Sequence, residues 1–67
     1  MKVLLQNTVT RHFVKSGGGW TSNENDAQKF FNSVVALDHC LENAIRGMQV
    51  VFKFERSGRD FVIPLKN

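Results

Sequence analysis

Residues 48 to 55, Met-Gln-Val-Val-Phe-Lys-Phe-Glu, set Met48, Val50, Phe52 and Phe54 in alternation with Gln49, Val51, Lys53 and Glu55. A repeat of two is that of a strand with one face buried, because successive side chains leave a strand on opposite sides. Such a strand needs neighbours to complete its ladder and a second layer to cover its apolar side. The chain has only 67 residues with which to supply both. A domain of this size buries roughly 60% of the surface its unfolded form exposes, so its core is marginal and association would add to it.

The neighbours are found on both sides. Ser57-Gly58 makes a turn, and Phe61 to Leu65 returns as a strand with Phe61, Ile63 and Leu65 on one side. Pro64 has no N–H to give to a ladder, which places this strand at an edge or turns that position outward. Val3 to Asn7 and Arg11 to Lys15 are two more β-prone runs, and the turn-compatible Asn7-Thr8-Val9-Thr10 between them makes a hairpin. The covering layer comes from the middle of the chain. From Val34 to Ile45, Val34, Leu37, Leu41, Ala44 and Ile45 recur at spacings of three and four, giving one helical stripe with Ser33 as cap and Gly47 closing it from beyond its end. Asn23 or Ser22 caps a shorter helix from about Glu24 to Phe31, with Glu24 and Asp26 near its positive end. The expected order is ββααββ in a single α+β domain spanning residues 1–67, a four-stranded, mainly antiparallel sheet with the helices on one face.

Charge follows the same division. The net charge of +3 splits into +3 over residues 1 to 20, −3 over residues 21 to 45 and +3 over the remainder. An acidic helical centre thus sits between two basic hairpins. A hydrophobic fraction of 42% with 22% charged residues is ordinary for a globular chain and speaks against intrinsic disorder. No run approaches the ~20 apolar residues of a membrane span. The opening Met-Lys-Val-Leu-Leu is cut short by Gln6-Asn7-Thr8 before a secretory segment forms. A cytoplasmic location is expected, in agreement with a single cysteine, Cys40, which leaves no internal disulfide framework.

Residues 16 to 22, Ser-Gly-Gly-Gly-Trp-Thr-Ser, suggest a phosphate-binding loop at first sight. A Walker A loop needs a lysine after its last glycine, and here tryptophan follows. The dinucleotide fingerprint needs three spaced glycines, and Gly17, Gly19 and Ser22 meet it at two positions only. Glu24 and Asp26 would repel phosphate as well. The glycines are therefore read as supplying positive φ angles for a turn out of the second strand, which lets Trp20 fold back over the sheet edge or the helix start. Thr21 and Ser22 offer capping oxygens.

Leu5-Gln6-Asn7, Phe13, Gly19-Trp20-Thr21, Ala27, Phe30, Ser33, Ala36, Val50-Val51-Phe52 and Pro64-Leu65 resemble, over nearly the whole chain, small uncharacterised bacterial proteins carrying LQN, WT and a terminal PL at similar spacing. The resemblance implies a shared fold and a bacterial setting and carries over no catalytic or ligand residues. Thr10 departs from it, standing where a glycine is expected in the first turn.

No constellation for chemistry emerges from the residues. His39 and Cys40 are adjacent on a helix, about 100° apart, and do not share a face suited to one metal ion. Cys40 flanks the apolar stripe as a small buried group, and His39 is expected to point to solvent. His12 would need Asp60 or Glu55 beside it. Acid or base work needs such a positioned partner, and none is legible. No enzyme activity, cofactor or metal is expected.

Two non-enzymatic readings remain. If Val50, Phe52, Phe54, Phe61 and Ile63 face the helices, Val51 and Val62 face away, with Leu4 beside them and Lys2, Gln49 and Lys53 at the border. This would be an apolar strip on an open sheet face, suited to another protein or to a second copy in a homodimer. The alternative is weak nucleic-acid binding by Arg11, Lys15, Lys53, Arg56 and Arg59, with Lys66, Phe13 and Trp20 adding charge and stacking. Against it, basic strand residues also keep edges soluble, and the order of elements differs from the βαββαβ of an RNA-recognition motif.

Overall fold

A computed structural model describes residues 1–54, 56 and 58–65. One five-stranded antiparallel sheet and one helix make up an α+β domain: β1 (Lys2–Asn7), β2 (Phe13–Val14), β3 (Trp20–Thr21), α1 (Ser33–Glu42), β4 (Met48–Lys53) and β5 (Asp60–Pro64). Across the sheet the order is β3-β2-β1-β4-β5. The class agrees with expectation, whereas the ββααββ order with four strands does not.

The first hairpin forms where its turn residues place it. Asn7 Oδ1 accepts from the Val9 and Thr10 amides at 2.8 and 2.9 Å, and Arg11 takes a positive φ of 67°. That side-chain hydrogen bonding does locally what a glycine would otherwise make easy. It also removes Arg11 from the strand, which runs only over Phe13–Val14.

The expected helix over Glu24 to Phe31 is absent. Asn23 Oδ1 instead accepts from the Asn25 amide at 2.9 Å, and Thr21 Oγ1 accepts from Asn23 at 3.1 Å. Thr21 therefore caps a turn and no helix. Asn, Asp and Ser offer the backbone such local bonds in competition with a helix. The residues beyond the turn stay extended because two strands need partners: Gln28 donates to the Val14 carbonyl at 2.9 Å and Phe30 to that of Val3 at 2.8 Å. Ala27 bridges Lys15 and Phe30 bridges Val3, so this segment fills the fork where β1 and β2 part.

The one helix is capped a residue earlier than expected, by Asn32, whose Oδ1 accepts from the Val35 amide at 2.9 Å. Its end is a Schellman arrangement in which Ile45 donates to Cys40 at 2.9 Å and Ala44 to Leu41 at 3.4 Å. Ala44 occupies the left-handed position at φ 52°, a place usually given to glycine. Gly47, at φ 72°, instead leads into β4, and its carbonyl accepts from both the amide and hydroxyl of Thr8. The buried helix positions are Ala36 and Cys40, so the expected stripe is rotated: Val34 and Leu41 are exposed. Ala36 permits close approach to the sheet.

Packing fills both sides of the central strands. Val3, Leu5, Val14, Phe30, Met48 and Val50 meet Ala36 and Cys40 on the helix side. Leu4 and Val51 meet Phe13 and Ala27 on the other. Ala27 and Phe30, three residues apart in an extended segment bridged to β2 and β1, send their side chains to opposite faces of the sheet. Burying side chains of this kind contributes about 1.5–3 kcal/mol each.

Candidate functional site

Leu4 and Val51 do lie on the face away from the helix, as alternation requires, but they are 0% and 2% exposed. The open strip is therefore not formed by them. The turn around Asn23 to Asp26 and the residues after it close over that face, leaving Val62 as the exposed member of the group. Gln49 is buried there too, donating to Gln6 Oε1 at 2.7 Å, while Gln6 donates to the Arg11 carbonyl at 2.9 Å.

Lys53 fastens this cover. Its ammonium lies 2.7 Å from Glu24 and 2.8 Å from Asp60, tying the turn to β4 and β5 across a hollow of about 260 Å³ that Lys2 and Phe54 also line. Hydrogen bonds that the ammonium donates to Asp60 and then to Glu24 raise the Lys53 pKa above the ordinary lysine value. A raised lysine pKa stabilises the fold fully below about pH 10.4, the unfolded value, and that stability is lost as pH rises through the folded value. Both carboxylates are well solvated, so solvent screening holds the effect to about 1 kcal/mol or less. In urea titrations at pH 8 and pH 11.5, the wild type should lose this increment relative to Lys53→Met. An unchanged difference between the two proteins would show that the ion pairs contribute nothing.

The basic residues proposed for nucleic acid do not form one surface. Arg11 lies at the turn joining β1 and β2, whereas Arg56 and Arg59 lie beyond the end of β4, at the opposite end of the sheet. Lys15 stands by the glycine turn and Lys53 already faces two carboxylates. His12 is separated from Asp60 by β1 and β4, while Glu55 and Lys66 lie outside the described residues.

The three glycines turn β2 into β3, with φ of 81°, 98° and 92° at Gly17, Gly18 and Gly19. Lys15 donates to Gly19 at 3.1 Å and Gly18 to Lys15 at 3.2 Å. Trp20 pairs with Val14 and shares a cleft of about 340 Å³ with Gln28, His39 and Asn43. It thus approaches the end of the helix rather than its start. His39 is partly covered rather than solvent-directed, its ring meeting Phe30 edge-on at a centroid distance of 5.2 Å. Cys40 is fully buried, which pushes its thiol pKa up and makes it a packing group. Among the described residues there is no group of three or more metal-ligating side chains, and no helix is long and apolar enough to cross a membrane.

An unpartnered apolar surface lies at β5. Phe61, Val62 and Ile63 are 61%, 45% and 51% exposed. Phe61 and Ile63 pair with Phe52 and Val50 and so point to the helix side, but the helix does not cover them. Helical geometry explains the gap. The contact with Phe30 sets His39 toward β2 and β3, and Leu37 and Leu41 lie 160–200° around the helix from it at 100° per residue. Their flank therefore looks toward β5, leaving an apolar trough with Phe52 and Leu65 partly buried at its base. Phe54 closes one end, stacked edge-on against Phe61 at 5.5 Å.

The edge itself is also open. Leu65 donates to Met48 at 3.0 Å, and antiparallel ladders alternate the direction of successive peptide groups, so residues 61, 63 and 65 address β4. Asp60, Val62 and Pro64 consequently turn their backbone groups outward. This places Pro64 as its missing N–H predicted: on the edge strand, at an outward position.

No family model matches the chain, and no match is found among curated proteins or solved structures.

Proposed function

We propose that this protein is a non-enzymatic protein-interaction module whose contact surface is the β5 edge together with the trough between β5 and α1. The observation that carries this reading is the exposure of an entire β-prone strand: Phe61, Val62 and Ile63 are all accessible, and no described strand lies beyond them. Natural proteins guard such edges with charged residues, prolines, bulges or very short strands, and on β5 such a guard stands only at the two ends, Asp60 and Pro64, with Phe61, Val62 and Ile63 between them. The other edge of this sheet is guarded in that way, since β3 has two residues and follows a glycine turn. On β5 the outward positions carry Asp60, already paired with Lys53, then Val62 and Pro64. An extended segment of a partner can therefore add to the sheet by β-augmentation while its side chains enter the trough.

A photo-crosslinking residue at Ile63 should give protein adducts in the native cell, whereas one at Val9, more exposed still but on the β1–β2 turn, should not. Adducts to nucleic acid, or equal protein labelling at both positions, would overturn the reading.

A further inference from the structure

The partner that the edge fits best is a second copy of the same edge. We infer that two chains pair β5 to β5 antiparallel about a two-fold axis at Val62, joining two five-stranded sheets into one of ten strands. This rests on the contact surface proposed above and names its occupant.

Backbone chemistry selects the arrangement. The outward groups are the N–H of Asp60 and Val62 and the carbonyls of Asp60, Val62 and Pro64. With Val62 opposite its own copy, each Val62 amide donates to the other Val62 carbonyl, and each Asp60 amide donates to a Pro64 carbonyl. Four hydrogen bonds form, and the absent N–H of Pro64 costs no donor that was available. All five residues of β5 overlap. A slip that brings Phe61 opposite Phe61 also makes four bonds, but it sets Ile63 and Pro64 against the Gly58–Arg59 turn, where the Gly58 amide already donates to Phe54.

Side chains and charge agree with the same register. Phe61 lies opposite Ile63 of the partner subunit at two non-hydrogen-bonded positions, the closer of the two kinds of pair. These pairs sit on the helix side and join the two troughs, while Val62 meets its copy on the other face. Asp60 is the one charged residue of β5. It lies opposite Pro64 rather than its own copy, and Lys53 balances its charge at 2.8 Å. No like-charge contact therefore opposes the pairing. A lasting dimer buries about 800 Å² per partner, a sixth of the 4644 Å² surface of the described chain. A five-residue edge alone falls short of this, and the exposed Phe61, Ile63 and Leu41 supply the apolar remainder.

The register is tested by cysteine pairing in the full chain, where Cys40 is buried and does not interfere. Paired Cα atoms at Val62 would stand about 5.5 Å apart, within the 4.4–6.8 Å range of a disulfide. Mild oxidation should therefore convert Val62→Cys to a covalent dimer. Phe61→Cys and Ile63→Cys should remain single when oxidised separately and should cross-link when mixed. Sedimentation of the unmodified chain should show a concentration-dependent species of twice the chain mass. Val62→Pro should weaken that association at least tenfold while keeping the monomer's circular dichroism, because the amide it removes points outward. Self-linking at Phe61→Cys alone overturns the two-fold axis at Val62, and a monomer at all concentrations with no Val62→Cys dimer overturns the second copy. If Ile63 still labels another protein in the cell under those results, the interaction module stands without the dimer. If it labels none, both fall.

Discussion

Val51→Lys should abolish cooperative unfolding, leaving a chain without a melting transition at 25 °C. Val51 is 2% exposed, packed with Leu4, Phe13 and Ala27 in the middle of the sheet, so the ammonium would enter a cluster of apolar side chains. An unpaired buried charge costs several kcal/mol. A domain of this size holds a total of roughly 3–10 kcal/mol. The control lies one strand away. Val62 is the ladder partner of Val51 on the same face but is 45% exposed, and Val62→Lys should shift the melting temperature by only a few degrees. Thermal scans by circular dichroism on both variants decide the matter. A Val51→Lys protein that melts like the wild type would mean that the turn at Asn23 to Asp26 does not cover this face.

Replacing Gly17, Gly18 and Gly19 together by alanine should lower stability by about 3 kcal/mol. All three residues have positive φ, which costs an L-residue about 1–2 kcal/mol and is partly offset by the lost freedom of the unfolded glycine. A new Cβ meets nothing within 4 Å at any of the three positions, so the penalty comes from backbone conformation and not from packing. A chain of 67 residues is accessible to chemical synthesis, which allows a sharper comparison. D-alanine at Gly18 should raise the urea midpoint, and L-alanine at the same position should lower it. Equal midpoints would show that the turn relaxes to another conformation at little cost.

The sheet's pairing elements were legible because their information is local. The β-prone run from Met48, the turn chemistry of Asn7 and the missing N–H of Pro64 act within one strand or one turn, and each element appears in the structure, although β4 ends at Lys53 and is buried on both faces rather than on the one that alternation predicts. The same holds for the positive φ angles of the glycine turn and the burial of Cys40. Two adjacent apolar runs carried more than was read from them. Val3-Leu4-Leu5 and Val50-Val51 do not alternate, and a strand apolar at consecutive positions is one covered on both faces.

What covers the second face could not be read in this way. Between Glu24 and Phe31 a helix and a turn followed by an extended segment are close in local preference. The outcome turns on β1 and β2, whose edge carbonyls at Val3 and Val14 take the Phe30 and Gln28 amides. Those acceptors lie far away in sequence and exist only once the hairpin has formed. The pairing of Lys53 with Glu24 and Asp60 has the same origin. The helix face shows the point once more. Spacing defined a stripe through Val34, Leu37 and Leu41, yet packing placed the small Ala36 and Cys40 against the sheet, because there the backbone can approach most closely. Local sequence thus determined which residues could form strands, turns and a helix. Competition among distant backbone donors for the same sheet edge, together with the volume left above the central strands, decided which apolar surfaces were buried and which stayed open at β5.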